Sequence, residues 1–297
     1  MCTVRLLLSW YRQQTMQVKW VTNYSYPFTV TNRVRQGGVL SPYLFAVYND
    51  ELSIQLGSAR VGCTVVNMVV NHLMFADDIC VFSPSINGLQ CLLNICGDYA
   101  AEHEITFTYN KTTGVPFCPK KYKQPAPSNV FLNGVRVQLF NQVKHLGVWI
   151  NASLKDDNNI QRQVKSLWCA ANKLKGTFDE WSPAVKNTLF RAYCMPMYAC
   201  QLWSKYMQTS MKRLRVAYNN AYWIMHYIPR NVSVRPHQVS HCVKTFDAVL
   251  RNNLYRFFMQ CTSSSNFFIR SLQMSDAFYK SSFFFNYSML LYGGDQL

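Results

Sequence analysis

Residues 73–82 read LMFADDICVF, an apolar run broken at its centre by two adjacent carboxylates, Asp77 and Asp78. Burying a charge costs several kcal/mol unless it is compensated, so the pair either escapes the apolar environment or meets something that wants it. The flanks are aromatic, β-branched or cysteine, and too short for a helix, which predicts buried strand structure on both sides. Two readings of the pair stand open at this point. One is a solvent-facing turn between two buried strands; the other is a hairpin turn that aims both carboxylates at Mg²⁺, a hard cation that takes carboxylate oxygen. The same dipeptide recurs at Asp156-Asp157, inside the polar run LKDDNNIQ (154–161), where it reads as a solvated helix start.

Working upstream, VRLLLSWYRQQ (4–14) reads as the end of a helix, and MQVKWV (16–21) and PFTVTNRV (27–34) alternate as hairpin strands. A glycine turn follows, then Ser41-Pro42 as N-cap and first-turn proline of a helix carrying Leu44, Phe45, Val47, Tyr48, Leu52 and Leu56. CTVVNMVV (63–70) is a second apolar run of strand length. Downstream, a helix from about Ser85 to His103 turns Ile86, Leu89, Leu92, Leu93, Cys96 and Tyr99 inward, and ITFTYNKT (105–112) and GVPFC (114–118) return to extended chain. A basic, proline-rich linker, PKKYKQPAPS (119–128), precedes VFLNGVRV (130–137), where Asn133-Gly134 signals a hairpin, and VKHLGVWI (143–150) reads as one more strand. From about Asp156 the spacing is helical, through 159–178, 183–203, 210–227 and 239–258. The class predicted is α+β, organised as residues 1–118, a linker and hairpin region 119–155, and a helical region 156–297.

Of 297 residues, 49% are hydrophobic and 15% charged, which excludes a disordered polyelectrolyte. No apolar run approaches the roughly 18 residues of a membrane span. Eleven cysteines, scattered and without a Cys-x-x-Cys pair, read as reduced thiols of an intracellular protein, nuclear or cytoplasmic and not secreted. The net charge of +16 is unevenly placed: residues 1–119 hold 7 basic and 7 acidic side chains, residues 120–297 hold 23 and 7. A basic half attached to a neutral half points to a polyanion, most simply nucleic acid. Lys165, Lys173, Lys175, Lys212, Arg213 and Arg215, with Trp168, Tyr218 and Tyr222 nearby, supply the cations and stacking rings for a salt-sensitive, sequence-blind phosphate contact. His237-x-x-x-His241-Cys242 has metal-like helical spacing but no Cys-x-x-Cys half-site, and reads as ordinary polar groups of a helix.

The order of four elements, RQGGVLSPYLFAVY (35–48), FADD (75–78), NKT (110–112) and HLG (145–147), resembles the reverse transcriptase domain of non-LTR, LINE-type retrotransposons. That resemblance covers nearly the whole chain and implies a partial polymerase palm followed by a thumb-like helical region. It implies that Asp77 and Asp78 are catalytic metal ligands for Mg²⁺, that Arg35, Gln36, Gly37, Gly38, Phe75 and Lys111 face nucleotide or template, and that His145, Leu146 and Gly147 form a primer grip. Its partners would be an RNA template and a DNA primer, with a deoxynucleoside triphosphate only where the missing upstream part is supplied. His145 departs from the tyrosine expected before Leu-Gly, and Phe75 replaces a frequent tyrosine.

Two-metal nucleotidyl transfer needs carboxylates from two strands. Asp77 and Asp78 are one strand's share, and no Asp or Glu occurs from Met1 to Asn49. The resemblance therefore implies the C-terminal part of a reverse transcriptase domain, without fingers or first catalytic strand and inactive by itself. Such a palm leaves a sheet edge and apolar face uncovered, predicting poor solubility, to which Phe267, Phe268 and Phe283–Phe285 add. The alternatives are a non-catalytic module that holds RNA or an RNA–DNA duplex, and an inert, decayed remnant.

Overall fold

Helix α1 (Cys2–Arg12) begins the chain and leads into a nested hairpin. Strand β1 (Thr15–Met16) pairs antiparallel with β4 (Phe28–Thr29), and inside them β2 (Lys19–Trp20) pairs with β3 (Asn23–Tyr24). A computed structural model describes residues 2–12, 14–29, 37–118, 129–178, 180–229 and 231–292, so the remainder of the expected second hairpin arm, 30–34, lies outside the described residues, as does the linker 119–128. The architecture is α+β, built of helices and two-stranded pairings. Two compact units hold residues 1–63 with 69–105, and residues 64–68 with 106–297.

In the first unit, α2 (Ser41–Ser58) carries Pro42 in its first turn as expected, but its cap residue is Leu40, already in helical conformation. Ser41 is thus the first helical residue and is buried, rather than the N-cap. Strands β5 (Cys63–Val65) and β6 (Met68–Val70) divide the run expected to be one strand. The next run forms β7 (His72–Phe75) and β8 (Asp78–Val81), with the turn between strands that both readings of it expected. Helix α3 (Ile86–Glu102) is capped by Ser85, whose hydroxyl accepts from Gly88 N–H at 3.1 Å. Leu52 and Leu56 of α2 and Leu92, Leu93, Cys96, Tyr99 and Ala100 of α3 form the buried apolar set, while Ile86 stays 37% exposed at the helix start. The Tyr99 hydroxyl donates to the Tyr48 carbonyl and the Tyr48 hydroxyl to the His103 carbonyl, cross-tying the two helices at one end.

The second unit begins with small pairings. Strand β9 (Thr113–Gly114) runs parallel to β12 (Gln138–Leu139), and β10 (Phe131–Leu132) with β11 (Val135–Arg136) makes the hairpin that Asn133-Gly134 signals. The segment expected to be extended through NKT instead turns: Lys111 N–H donates to the Thr108 carbonyl at 2.9 Å. VKHLGVWI is likewise two strands, β13 (Gln142–His145) and β14 (Val148–Asn151), joined by Leu146-Gly147. Helices α4 (Asp157–Thr177), α5 (Pro183–Tyr193), α6 (Gln208–His226), α7 (Val234–Ser240), α8 (Phe246–Thr262), α9 (Phe267–Gln273), α10 (Asp276–Tyr279) and α11 (Ser282–Tyr292) complete it.

The core of this unit is the α4–α6 seam, where Ile160, Leu167, Ala171 and Leu174 meet Leu214, Ala217, Tyr218, Ala221, Tyr222 and Met225. Phe190 of α5 is fully buried and lies edge-on to both Tyr218 and Tyr222, with centroids 5.2 Å away in each case. Such rings bury large apolar areas and add a quadrupole preference for that geometry. Asp156-Asp157 proves to be more than a solvated helix start. Asp156 accepts from the Ser204 and Lys205 N–H groups at 2.8 and 2.9 Å, and Asp157 from Met207 N–H and the Ser210 hydroxyl at 2.9 and 2.6 Å. Near the C-terminus Phe257, Phe258, Phe278, Phe283 and Tyr287 pack on one another, whereas Phe267 and Phe285 remain 73% and 63% exposed.

Candidate functional site

The acidic pair sits at the end of the β7–β8 hairpin, whose register joins Phe75 to Asp78, Met74 to Ile79, Leu73 to Cys80 and His72 to Val81. The connection is the two residues Ala76 and Asp77, with Ala76 held at φ +51°. A left-handed alanine costs roughly 1–2 kcal/mol, strain of the kind that accumulates at functional turns. Asp77, Asp78 and Phe75 are all exposed, so the carboxylates escape burial by standing at the tip. The strands themselves are not the buried ones expected: Leu73 is 53% exposed, exposure alternates along β7, and Ile79, Cys80 and Val81 of β8 are half-buried. A hairpin with no further strand beside it among the described residues covers only one face, which is why the apolar run ends up half-wet.

Helices α2 and α3 back this hairpin, β7 against the former and β8 against the latter. A polar chain fastens its base. Buried Asn71 donates its amide to the Leu56 and Val61 carbonyls, both at 2.7 Å, which leaves Oδ1 to accept from His72 Nδ1 at 2.7 Å. His72 must then carry its proton on Nδ1, and Nε2 accepts from the Ser53 hydroxyl at 2.7 Å. Burial holds the His72 imidazole below its ordinary range, in keeping with a neutral ring. The sequence reading missed this chain, although two polar residues between VV and LMF were its signal.

Among the described residues neither Asp77 nor Asp78 makes a side-chain hydrogen bond or ion pair. Two exposed, adjacent, uncommitted carboxylates fit a hard divalent cation in kind. They fill only part of a coordination shell, since no three His, Cys, Asp or Glu side chains gather anywhere among the described residues.

Arg35 and Gln36 lie outside the described residues. Gly37 adopts φ +78°, a conformation that favours glycine, and nothing stands within 4 Å of where its Cβ would be. Gly38 accepts at its carbonyl from Ser41 N–H at 3.2 Å as α2 begins. Lys111 is exposed in its turn and belongs to the other compact unit.

His145, Leu146 and Gly147 form the tip of the β13–β14 hairpin, with Leu146 and Gly147 at φ +45° and +77°. Two positive φ values in a two-residue connection match the twist of paired strands. Tyr198, which the sequence reading passed over, donates its hydroxyl to the Leu146 carbonyl at 2.7 Å, and the Arg162 guanidinium lies 5.8 Å from its ring centroid.

Lys165, Lys173, Lys175, Lys212, Arg213 and Arg215 are exposed on α4 and α6, outside the seam. They are not equivalent. Arg215 is engaged by Asp247 at 2.7 Å and by the Phe246 ring, and Lys175 lies 5.2 Å from the Tyr227 centroid. The aromatic partners expected beside them are corrected: Tyr218 and Tyr222 are fully buried and Trp168 packs on the core, because their spacing follows the α4–α6 seam. Burial raises the Tyr222 phenol to about 12 despite Arg191, and its hydroxyl pairs with His241 Nδ1 at 3.0 Å. His226 stacks on Tyr222, and burial, then His241, Lys186 and His237, lowers its imidazole to about 4.

Residues 2–150 match the family described as reverse transcriptase (RNA-dependent DNA polymerase). Over 225 residues, 72% of the chain, it is 25% identical to a probable RNA-directed DNA polymerase from transposon X-element of Drosophila melanogaster. Over 96 residues, 32% of the chain, it is 34% identical to the retrovirus-related Pol polyprotein from type-2 retrotransposable element R2DM of the same organism. The chain belongs to the reverse transcriptase family. Within it, these relatives place the chain with the enzymes of non-LTR, LINE-type elements. It spans 24% and 9% of the two relatives' own lengths. No helix among the described residues is long and apolar enough to cross a membrane.

Proposed function

We propose that the chain is the metal-hairpin and duplex-holding part of an RNA-directed DNA polymerase, working on a DNA primer annealed to an RNA template. The observation that carries this reading is the pair of exposed, uncommitted carboxylates on a strained two-residue hairpin turn, inside the stretch that matches the family. Asp77 and Asp78 would hold Mg²⁺, which when bound supplies charge for the primer hydroxyl and the triphosphate. Phe75, exposed beside them, offers a face to the nucleotide, with Gly37-Gly38, Arg35 and Gln36 on the template side and Lys111 toward the leaving pyrophosphate. The turn His145–Gly147 meets the primer. Lys165, Lys173, Lys212 and Arg213, exposed and free of ion pairs among the described residues, carry the phosphate contacts, with Lys175 and Arg215 in support.

Residues 1–49 contain no carboxylate side chain, so the second strand's metal ligand must come from outside them. The chain should bind hybrid duplex. Fluorescence anisotropy with an RNA–DNA hybrid tests the reading. Binding should weaken steeply with salt, and Lys165→Glu with Lys212→Glu should lower affinity roughly ten-fold or more, while Asp77→Asn leaves metal-free binding unchanged. No binding at low salt would contradict it.

A further inference from the structure

The Leu146-Gly147 turn holds a backbone that its sequence suits poorly. The chain contains a comparison: Asn133-Gly134 connects its hairpin at φ +50° and +76°, nearly the same values, with asparagine in the first position. Asparagine tolerates the left-handed region, and leucine does not. Nothing lies within 4 Å of a Cβ built on Gly134, whereas one built on Gly147 would stand 3.2 Å from Cε1 of Tyr198. The strained turn is thus the one with a tyrosine ring laid against it, and that tyrosine's hydroxyl donates to the Leu146 carbonyl at 2.7 Å.

The ring is itself fixed from behind. Arg162 of α4 places its guanidinium 5.8 Å from the Tyr198 centroid, and its Nε and Nη2 are sealed from solvent with no hydrogen-bond acceptor among the described residues. A half-buried guanidinium in that state leans on the ring's negative face. The neighbouring Gln163 donates to the Pro196 carbonyl at 3.2 Å, tying α4 to the backbone just before Tyr198. Tyr198 is 55% exposed and Leu146 38%, so the clamp lies at the surface, where a ligand would meet the turn.

We propose that Tyr198 and Arg162 are positioning residues, which hold the strained His145–Gly147 turn in one conformation so that it meets the recessed end of a primer. This rests on the primer-facing reading of that turn. The test uses the full chain with two readouts: hydrogen exchange of residues 142–151, and anisotropy comparing a recessed DNA primer on RNA with a blunt RNA–DNA duplex. Tyr198→Phe, which removes one hydroxyl, should speed exchange in the turn by about five-fold. It should also reduce the preference for the recessed end while leaving blunt-duplex affinity unchanged. Arg162→Met, which keeps the packing and removes the charge, should move both readouts the same way. Unchanged exchange in both variants would overturn the clamp itself. Faster exchange with the recessed-end preference intact would overturn the positioning role. A wild-type chain with no such preference would overturn the primer reading and that role with it, and the exchange result would still decide whether the clamp exists.

Discussion

Asp77 and Asp78 draw their importance from what they lack: each is exposed, next to the other, and unpaired among the described residues. Asp156 and Asp157, the same dipeptide, are consumed by four hydrogen bonds from residues 204–210. Burial pushes the Asp157 carboxyl up, but the Ser210 hydroxyl, the Met207 N–H and Lys155 outweigh it and leave its pKa below the ordinary value. A carboxyl depressed on folding adds stability above its unfolded pKa, and that stability is lost as pH falls through the folded pKa. Asp157→Asn should therefore lower the urea midpoint at pH 7 and flatten the acid limb of stability below about pH 4; an unchanged limb would refute the assignment. His226 gives a different window. Its imidazole is depressed to about 4 by burial first and then by His241, Lys186 and His237, so the unfolded chain binds the proton first. Stability should be full above about pH 6.5 and fall as pH drops toward 4, and His226→Gln should remove that slope in urea titrations run at each pH. The sequence separated the two acidic pairs by their neighbours, apolar against polar, and Asp77-Asp78 stands exposed at the turn of its hairpin. The contrast misjudged Asp156-Asp157, because partners about 50 residues away leave no local trace.

At the level of elements, periodicity located the long helices and failed on the short strands. Leu52 and Leu56 on α2, and Leu92, Leu93, Cys96 and Tyr99 on α3, are buried as their spacing predicts. The apolar runs at 63–70 and 143–150 each looked like one strand, and each is a hairpin, as is the run at 73–82, whose turn at the acidic pair was expected. Their turns fall at Val66, Ala76 and Leu146, all at positive φ, so the residues that usually announce such a turn are absent or arrive late, as Gly147 does. Asn133-Gly134 did announce itself and was read correctly. Aromatic residues on α6 were misassigned for the opposite reason: Tyr218 and Tyr222 sit at seam spacing, and basic neighbours disguised a core stripe as a binding face. Truncating that core should be costly. Phe190→Ala, which deletes the ring shared by Tyr218 and Tyr222, should destabilise the second unit by about 3–5 kcal/mol in denaturant titration. Ser85→Ala, which removes the α3 cap, should cost the first unit about 1 kcal/mol. A Phe190→Ala loss below that of the cap would mean that the α4–α6 seam is not the core.

Over the whole molecule, charge and chemistry are divided between two compact units. The carboxylate hairpin lies in the unit of residues 1–63 and 69–105, and the exposed lysines and arginines lie on helices of the other. The excess of +16 belongs entirely to residues 120–297. The family was legible from four short motifs in order, and the match over residues 2–150 agrees with it. At the N-terminal hairpin Trp20, Val21 and Tyr26 are 77%, 80% and 94% exposed. The central claim is that the β7–β8 turn holds a divalent ion. Electron paramagnetic resonance of Mn²⁺ titrated into the full chain tests it most directly, because the spin signal of free Mn²⁺ reports binding without requiring catalysis. The account predicts a saturable site that weakens at least ten-fold in Asp77→Asn and in Asp78→Asn and is unaffected by Asp156→Asn. Equal binding in all four proteins, or none in the wild type, would contradict it.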